Sequence, residues 1–246
     1  MANILDKYGI KEVADVTIYS IAAGGVTTPV LFLDTLKVST IEQTAEQSEA
    51  KGGKGNSPLI IWDFGKELTV TLEDALFTPK SMQIMFGSGS TALTGAITTI
   101  TKMVYTANLS AYTAAQTALL TTQKPTAFKY YQAADMSEIA TAVTATWTNP
   151  AYVLETWGTA SNLTAYTIDV SANSFPGTYK IVGDTYARNK ETGIDEYFQF
   201  IIPQAKMGPE NTITLEAEGD PTVFNMTMRV LRPADGVMMK LIKYTI

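Results

Sequence analysis

Between two stretches of alternating apolar and polar residues lies a polar run, Glu42–Ser57, that contains nothing apolar larger than alanine. On one side stand Leu36, Val38 and Thr40, interleaved with Lys37, Ser39 and Ile41. On the other, Leu68, Val70 and Leu72 alternate with Glu67, Thr69, Thr71 and Glu73. A period of two is the mark of a half-buried strand. Two neighbouring strands need a link of only about two to five residues. A link this long, with no side chain able to grip a core, is expected to be disordered or to be ordered by something outside the protomer. The reading is an arm over residues 40–58, with Gly52–Gly55 as its mobile tip and Glu42–Glu49 as its contact surface. Its candidate contact residues are Glu42, Gln43, Glu46, Gln47, Glu49, Lys51 and Lys54.

The 246 residues, 46% of them hydrophobic, suffice for one large domain or for a domain with an inserted subdomain. No apolar run approaches the roughly 20 residues that cross a bilayer, so no membrane partner is expected. The opening Met-Ala-Asn-Ile-Leu-Asp-Lys-Tyr lacks the basic and then apolar order of a signal peptide, which points to synthesis in a cytosol.

The chain has no cysteine and no histidine. Thiolate nucleophiles, imidazole bases, disulfides and the usual zinc ligands are therefore excluded. Carboxylates remain, but the neighbours in Glu73-Asp74 and Asp195-Glu196 would point to opposite faces of a strand, which does not suit a paired-carboxylate site. The expectation is no enzyme, no cofactor and no metal. Net charge is −6, without the clustered Lys and Arg that grip phosphates. Lys51 and Lys54 sit among glycines and lack the GxxxxGK[ST] spacing of a phosphate loop. The Asn-x-Ser/Thr triplets at Asn108, Asn162 and Asn225 read as chance matches in a threonine-rich chain.

Along the chain, Val13–Ile21, Val30–Ile41 and Leu59–Leu76 read as strands, with Gly65 marking a bulge in the third. Thr78-Pro79 opens a helix over 79–86, Phe77 and Met82 occupy the positions of a hydrophobic staple, and Gly87 closes it. Met82, Met85 and Phe86 form its core-facing stripe. Ile97–Ala107 is a further strand. The segment 110–171 turns rich in Ala and Thr; Ala111–Leu120 suits a short helix, and Ala140–Thr148 suits either helix or strand. Hairpins follow over Thr178–Ala187 with Glu196–Ile202, and over Thr212–Glu218 with Val223–Leu231, before a last strand, Val237–Ile246. The fold class is mainly β: an antiparallel β-sandwich or barrel with one short flanking α-helix and a long β-hairpin arm. The expected organisation is a core of residues 1–109 and 172–246 carrying an inserted segment, 110–171.

This order of elements resembles the tail tube (major tail) proteins of long-tailed bacteriophages. Trp62-Asp-Phe-Gly-Lys-Glu-Leu-Thr-Val-Thr-Leu-Glu-Asp-Ala-Leu-Phe-Thr-Pro-Lys80 is similar to that family's third strand and helix entry. Phe200–Met207, Ala217–Phe224 and Asp235–Tyr244 are similar to its C-terminal strands. The resemblance covers residues 10–107 and 175–246, and the middle segment departs from the family core. It implies a structural protein in the tail of a virion, assembled in the host cytoplasm. Such subunits form rings, usually of six copies, that stack into a tube through which DNA passes on ejection. The implied fold is a β-sandwich-like barrel with a flanking helix, shared with the tube protein of type VI secretion. The implied partners are other copies of the chain, tail proteins at the tube ends, a sheath and a tape-measure protein, with DNA present only in transit.

Three physical points agree with that. Long strands must hide their edges, and neighbouring copies can do so. A head-to-tail contact closes into rings or propagates into filaments. A surplus of carboxylates suits a channel wall that must not hold phosphates, and Glu67, Glu73, Glu216 and Glu218 are the candidate lumen-facing residues. The competing reading is a non-catalytic β-sandwich binding protein: a carbohydrate-binding or adhesin domain using exposed tyrosines with Trp147 or Trp157, or a capsid decoration protein.

Overall fold

Strand pairing among the described residues is antiparallel throughout. The structure is a computed structural model that describes residues 7–10, 12–87, 99–158, 168, 170, 172–210, 212–213 and 223–244. It divides into two units, residues 1–91 with 168–246, and residues 92–167.

In the first unit the strands are β1 (Tyr8–Ile10), β2 (Asp15–Ile21), β3 (Thr27–Leu33), β4 (Leu36–Gly52) and β5 (Ser57–Asp74). After helix α1 (Pro79–Phe86), its later strands are β10 (Thr178–Asn189), β11 (Asp195–Met207), β12 (Phe224–Val230) and β13 (Lys240–Tyr244). They form one sheet in the order β3-β2-β10-β11-β12-β5-β4, with β1 beside β2 on the edge of β10 and β13 beside β12 on the edge of β11. One face of that sheet is dry. Val16, Ile18, Leu33, Val70, Leu72, Ile181, Ile202, Met226 and Met228 all join a single buried cluster. Strands from both ends of the sheet reach the same cluster, so the sheet curls around its core in the manner of a sandwich or barrel.

Helix α1 plugs that core with Ile84 and Met85, while Phe86 packs against it partly buried. Its start follows the local chemistry: Thr78 Oγ1 accepts the Ser81 amide at 3.0 Å, and Ser81 Oγ accepts the Thr78 amide at 2.9 Å. Phe77 sets its ring 4.6 Å from that of Phe224. Gly87 closes the helix at φ 72°, and a Cβ there would lie 2.3 Å from the Phe175 carbonyl carbon. Only glycine fits on both counts.

The structure departs from the expected strands at two informative places. Val30–Ile41 is two strands, not one, broken at Asp34-Thr35. Thr35 Oγ1 donates to the buried Asp74 carboxylate at 2.5 Å, and the Thr35 carbonyl accepts the Ala75 amide at 3.2 Å. And β11 runs through Pro203 to Met207, beyond the expected end at Ile202. Proline has no amide to donate. Pro203 sits where none is called for: β13 pairs only as far as Ile201, β12 begins at Ala205, and β10 slips register between Tyr179 and Ile181.

The second unit holds β6 (Thr99–Thr106), helix α2 (Leu109–Ala118), β7 (Ala127–Gln132), β8 (Glu138–Ile139) and β9 (Ala151–Gly158). Its sheet runs β6-β9-β7-β8, so the strand expected over Ile97–Ala107 pairs inside this unit and not with the large sheet. Helix α2 lies two residues earlier than the expected Ala111–Leu120, because Asn108 caps it. Asn108 Oδ1 accepts the Ala111 amide at 3.1 Å and the Ser110 hydroxyl at 2.9 Å. Ala140–Thr148 holds a single 3-10 turn, Thr141–Val143. Leu109, Tyr130, Ile139, Ala151 and Val153 form the core, with Tyr112, Phe128 and Trp147 packed on it. Trp157 Nε1 donates to the buried Glu155 at 2.9 Å, and Tyr112 donates to the same carboxylate. Burial, and then that hydrogen bond, push the Tyr112 phenol above its ordinary range. Trp147 and Trp157 are thus engaged in packing and in holding Glu155.

Candidate functional site

The polar run is not a loop. It is the outer half of β4, paired residue by residue with the outer half of β5, and the link between them shrinks to the turn Gly53–Asn56. Gly53 and Gly55 take φ of 77° and 94°, Asn56 takes 50°, and the Asn56 amide donates to the Gly53 carbonyl at 3.2 Å. The expectation of a disordered or externally ordered link fails for a physical reason: a hairpin ladder satisfies its own backbone groups, whatever the side chains are. The expected mobile tip, Gly52–Gly55, is accordingly the last rung of the ladder and a tight turn.

Pairing also shows what the polar strand lies against. Beyond Leu68, the last buried residue of β5, come Phe64, Trp62, Ile61, Ile60 and Leu59, all half-exposed or more. Glu46 faces Phe64, Ser48 faces Trp62 and Ala50 faces Ile60 across the ladder. On the opposite side of the ribbon Glu49 faces Ile61 and Gln47 faces Asp63. Gln47 Nε2 donates to Asp63 at 2.8 Å, and Lys51 pairs with Glu49 at 3.0 Å. The two faces of the arm therefore differ: one presents Ile60, Trp62 and Phe64 beside Ala50, Ser48 and Glu46, and the other carries the polar pairs Gln47–Asp63 and Glu49–Lys51 together with the half-exposed Ile61.

The expected bulge at Gly65 divides arm from base. Register slips between Thr44 and Glu46, where Thr44 pairs Glu67 and Glu46 pairs Phe64, and Gly65 takes φ of 61°. One extra residue on β5 reverses the side chains that follow. Even-numbered positions face the core at Leu68, Val70 and Leu72, but face away on the arm at Phe64, Trp62 and Ile60.

Of the expected contact residues, Glu42, Gln43, Glu46, Gln47, Glu49, Lys51 and Lys54 are all exposed along β4 and its turn. Glu42 and Gln43 lie on the base side of the bulge, opposite Thr69 and Leu68, and the rest lie on the arm. Among the acidic candidates, Glu67 is ion-paired with Arg229, and Glu73 is half-buried between Val38 and Asn225. Glu216 and Glu218 lie outside the described residues, as does the hairpin expected around Gly219-Asp220-Pro221. The apolar stripe Ile60–Phe64 is what sequence reasoning missed as a surface. Counting outward from the glycine turn would have set it against the polar run.

Among the described residues no group of three or more carboxylates converges on a metal-sized site. No curated protein matches the chain. A family model for the YomU/Tube protein family matches residues 8–243, a span that takes in both units. The long arm, the curled antiparallel sheet and that match agree: the chain belongs to the YomU/Tube protein family and is a structural protein of a phage tube.

Proposed function

We propose that this chain is the repeating subunit of a phage tail tube, closing into rings of six that stack around a channel for DNA, and that its hairpin arm joins neighbouring copies. The observation that carries the assembly role is the arm itself: a self-paired ribbon running past its own core with large apolar side chains half in water. A protomer gains nothing from exposing them, and contiguous apolar surface of this kind marks an interaction site. The edge of β4, unpaired on its outer side among the described residues, is a second surface that a neighbour would cover. Assembly in the host cytoplasm, and contacts with end proteins, a sheath and a tape-measure protein, follow from the same reading.

The channel is the finer part of the proposal. A net charge of −6 favours a wall that repels DNA phosphates. Glu73, with no basic partner across its strand pairs, is a better candidate for that wall than Glu67, which Arg229 neutralises.

Removing the whole arm tests the reading. Because the strands pair, the cut must take both together: residues Thr44–Glu67 replaced by a short Gly-Ser turn. The expected result is a folded monomer that forms no rings or tubes by negative-stain microscopy at concentrations where the full chain does. Normal tubes from the shortened chain would sink the role given to the arm.

A further inference from the structure

Strands β10, β11 and β13 bring an amine, a carboxamide and a carboxylate to one spot. Asn189, the last residue of β10, is 3% exposed. Lys243 on β13 pairs with Phe198, two residues past Glu196 on β11. The side chains of Lys243 and Glu196 are only 24% and 16% exposed. Lys243 Nζ is ion-paired with Glu196 Oε2, donates to the Tyr8 hydroxyl and stands 4.5 Å from the centre of the Tyr8 ring. Asn189 Nδ2 reaches the same two groups, 3.3 Å from the Tyr8 hydroxyl and 3.5 Å from Glu196 Oε1. Two nitrogens hydrogen-bonded to one oxygen stand within about 6 Å of each other.

A loop brace explains only half of what Asn189 does. Its Oδ1 accepts the Glu191 amide at 2.8 Å and the Thr192 amide at 3.2 Å, as an Asn side chain does in a turn. That role does not require Nδ2 to face a carboxylate that already holds a lysine. Together the contacts are those that attack of an amine on an amide requires. Two backbone N–H groups on Oδ1 can hold the negative charge that develops there when Cγ is attacked. Lysine supplies the nucleophile once its ammonium is deprotonated. Glu196 touches both the attacking and the leaving nitrogen, so one carboxylate can carry protons between them. Groups fixed side by side in a fold react as though at an effective concentration of about 10⁵ M or more when well oriented.

We infer that Lys243 and Asn189 join in a side-chain amide bond, with Glu196 as the proton carrier. The Lys243 ammonium passes a proton to Glu196, and the freed amine attacks Asn189 Cγ. Glu196 gives that proton to Nδ2 and takes one from Nζ. The Nζ–Cγ bond forms, the Cγ–Nδ2 bond breaks, and ammonia leaves with the remaining proton as ammonium. Nothing is oxidised or reduced. Glu196, and then Tyr8, hold Lys243 above the usual lysine range, so the ion pair is the form of the newly folded chain and the bond accumulates afterwards. Its effect is to fasten β13, which pairs only with β11 among the described residues, to the end of β10. A cross-link that closes so long a loop restricts the unfolded chain and so favours the folded one. None of this depends on the tube reading.

Intact-mass spectrometry of the folded full-length chain, held for several days, reads the bond directly. The mass should fall by one ammonia, trypsin should cease to cut after Lys243, and a branched peptide should join Lys243 to Asn189. Glu196→Gln keeps the shape but carries no proton, and Lys243→Arg keeps the ion pair but supplies no lysine amine. Both should retain their full mass, and the wild-type chain should melt higher than either after the same incubation. A wild-type chain that keeps its full mass and its cut after Lys243 overturns the inference, whether or not the variants fold. So does the same ammonia loss from Lys243→Arg, which would place the lost nitrogen elsewhere. Loss that survives Glu196→Gln overturns the part given to Glu196.

Discussion

The base and the arm of the hairpin share one ladder, yet they are stabilised by different things. At the base, Leu68, Val70 and Leu72 insert into the core and are essentially inaccessible to solvent. Past the bulge, side chains of the same apolar kind stand half in water, with Trp62 52% exposed. Backbone hydrogen bonding is alike on both sides of Gly65, so it cannot account for the difference. What changes is the presence of a second layer. The base is a piece of a finished sheet, and the arm is a piece of a sheet with no other layer among the described residues.

The sharpest way to break that contrast is to truncate one residue on each side of the bulge. Leu72→Ala should cost about 2–5 kcal/mol of protomer stability, since it empties a buried site with few ways to collapse. Trp62→Ala, a larger deletion, should change stability by no more than about 0.5 kcal/mol. Urea unfolding at a concentration too low for assembly measures both. A Trp62 cost comparable to that of Leu72 would mean that the arm packs within its own protomer, and the comparison would fail.

The bulge itself comes next in size. Gly65 holds φ of 61°, and a Cβ there would meet only the Glu46 side chain at 3.6 Å. The cost of Gly65→Ala is therefore one of backbone conformation, about 1–2 kcal/mol, rather than of collision. Its effect on assembly should be larger than its effect on melting. If the bulge straightens to relieve the strain, Ile60, Trp62 and Phe64 turn to the other face of the ribbon. Near-normal melting with loss of tubes is the expected pattern, and unchanged tubes would show that the presented face does not matter.

Most of the base was legible in the sequence because burial there imposes a period of two. Leu68, Val70 and Leu72 announce their strand, and Thr78-Pro79 announces α1. The break between β3 and β4 was legible in principle: Leu31 and Leu33 are buried at odd positions and Leu36 at an even one, a phase change that a single strand cannot carry. The strand expected to end at Ile202 continues through Pro203, because neither neighbouring strand calls for an amide at that position. The arm was the least legible part. With no layer above it among the described residues, its side chains carry no burial period, and polarity alone reads as a loop. The apolar strand opposite was visible as a strand, but its exposure follows only from pairing.

A smaller contrast sits on the edge of β10, beside β2, where β1 is paired over the register Tyr8–Ile10 against Asn189–Ala187. So short a strand has little ladder of its own, and side chains hold it down. Lys243 Nζ donates to the Tyr8 hydroxyl and is ion-paired with Glu196, while the Tyr8 ring lies 5.4 Å from Phe198. The Lys243 ammonium, first by its hydrogen bond, holds the Glu196 carboxyl below the usual glutamate range. The same bond, followed by the one to Tyr8, raises Lys243 above the usual lysine range. A depressed carboxyl contributes stability above its unfolded pKa, about 4.3, and loses it as pH falls through the lower folded value. A raised lysine contributes below its unfolded pKa, about 10.4, and loses it as pH rises through the higher folded value. The Gly9 and Ile10 amides should therefore show constant exchange protection between those limits and lose it at both extremes before the Val70 and Leu72 amides do. Lys243→Met should lower their protection at neutral pH and abolish the acid step. Protection that stays flat in acid, or that survives Lys243→Met unchanged, would mean that β1 is held by its ladder alone, as the arm is.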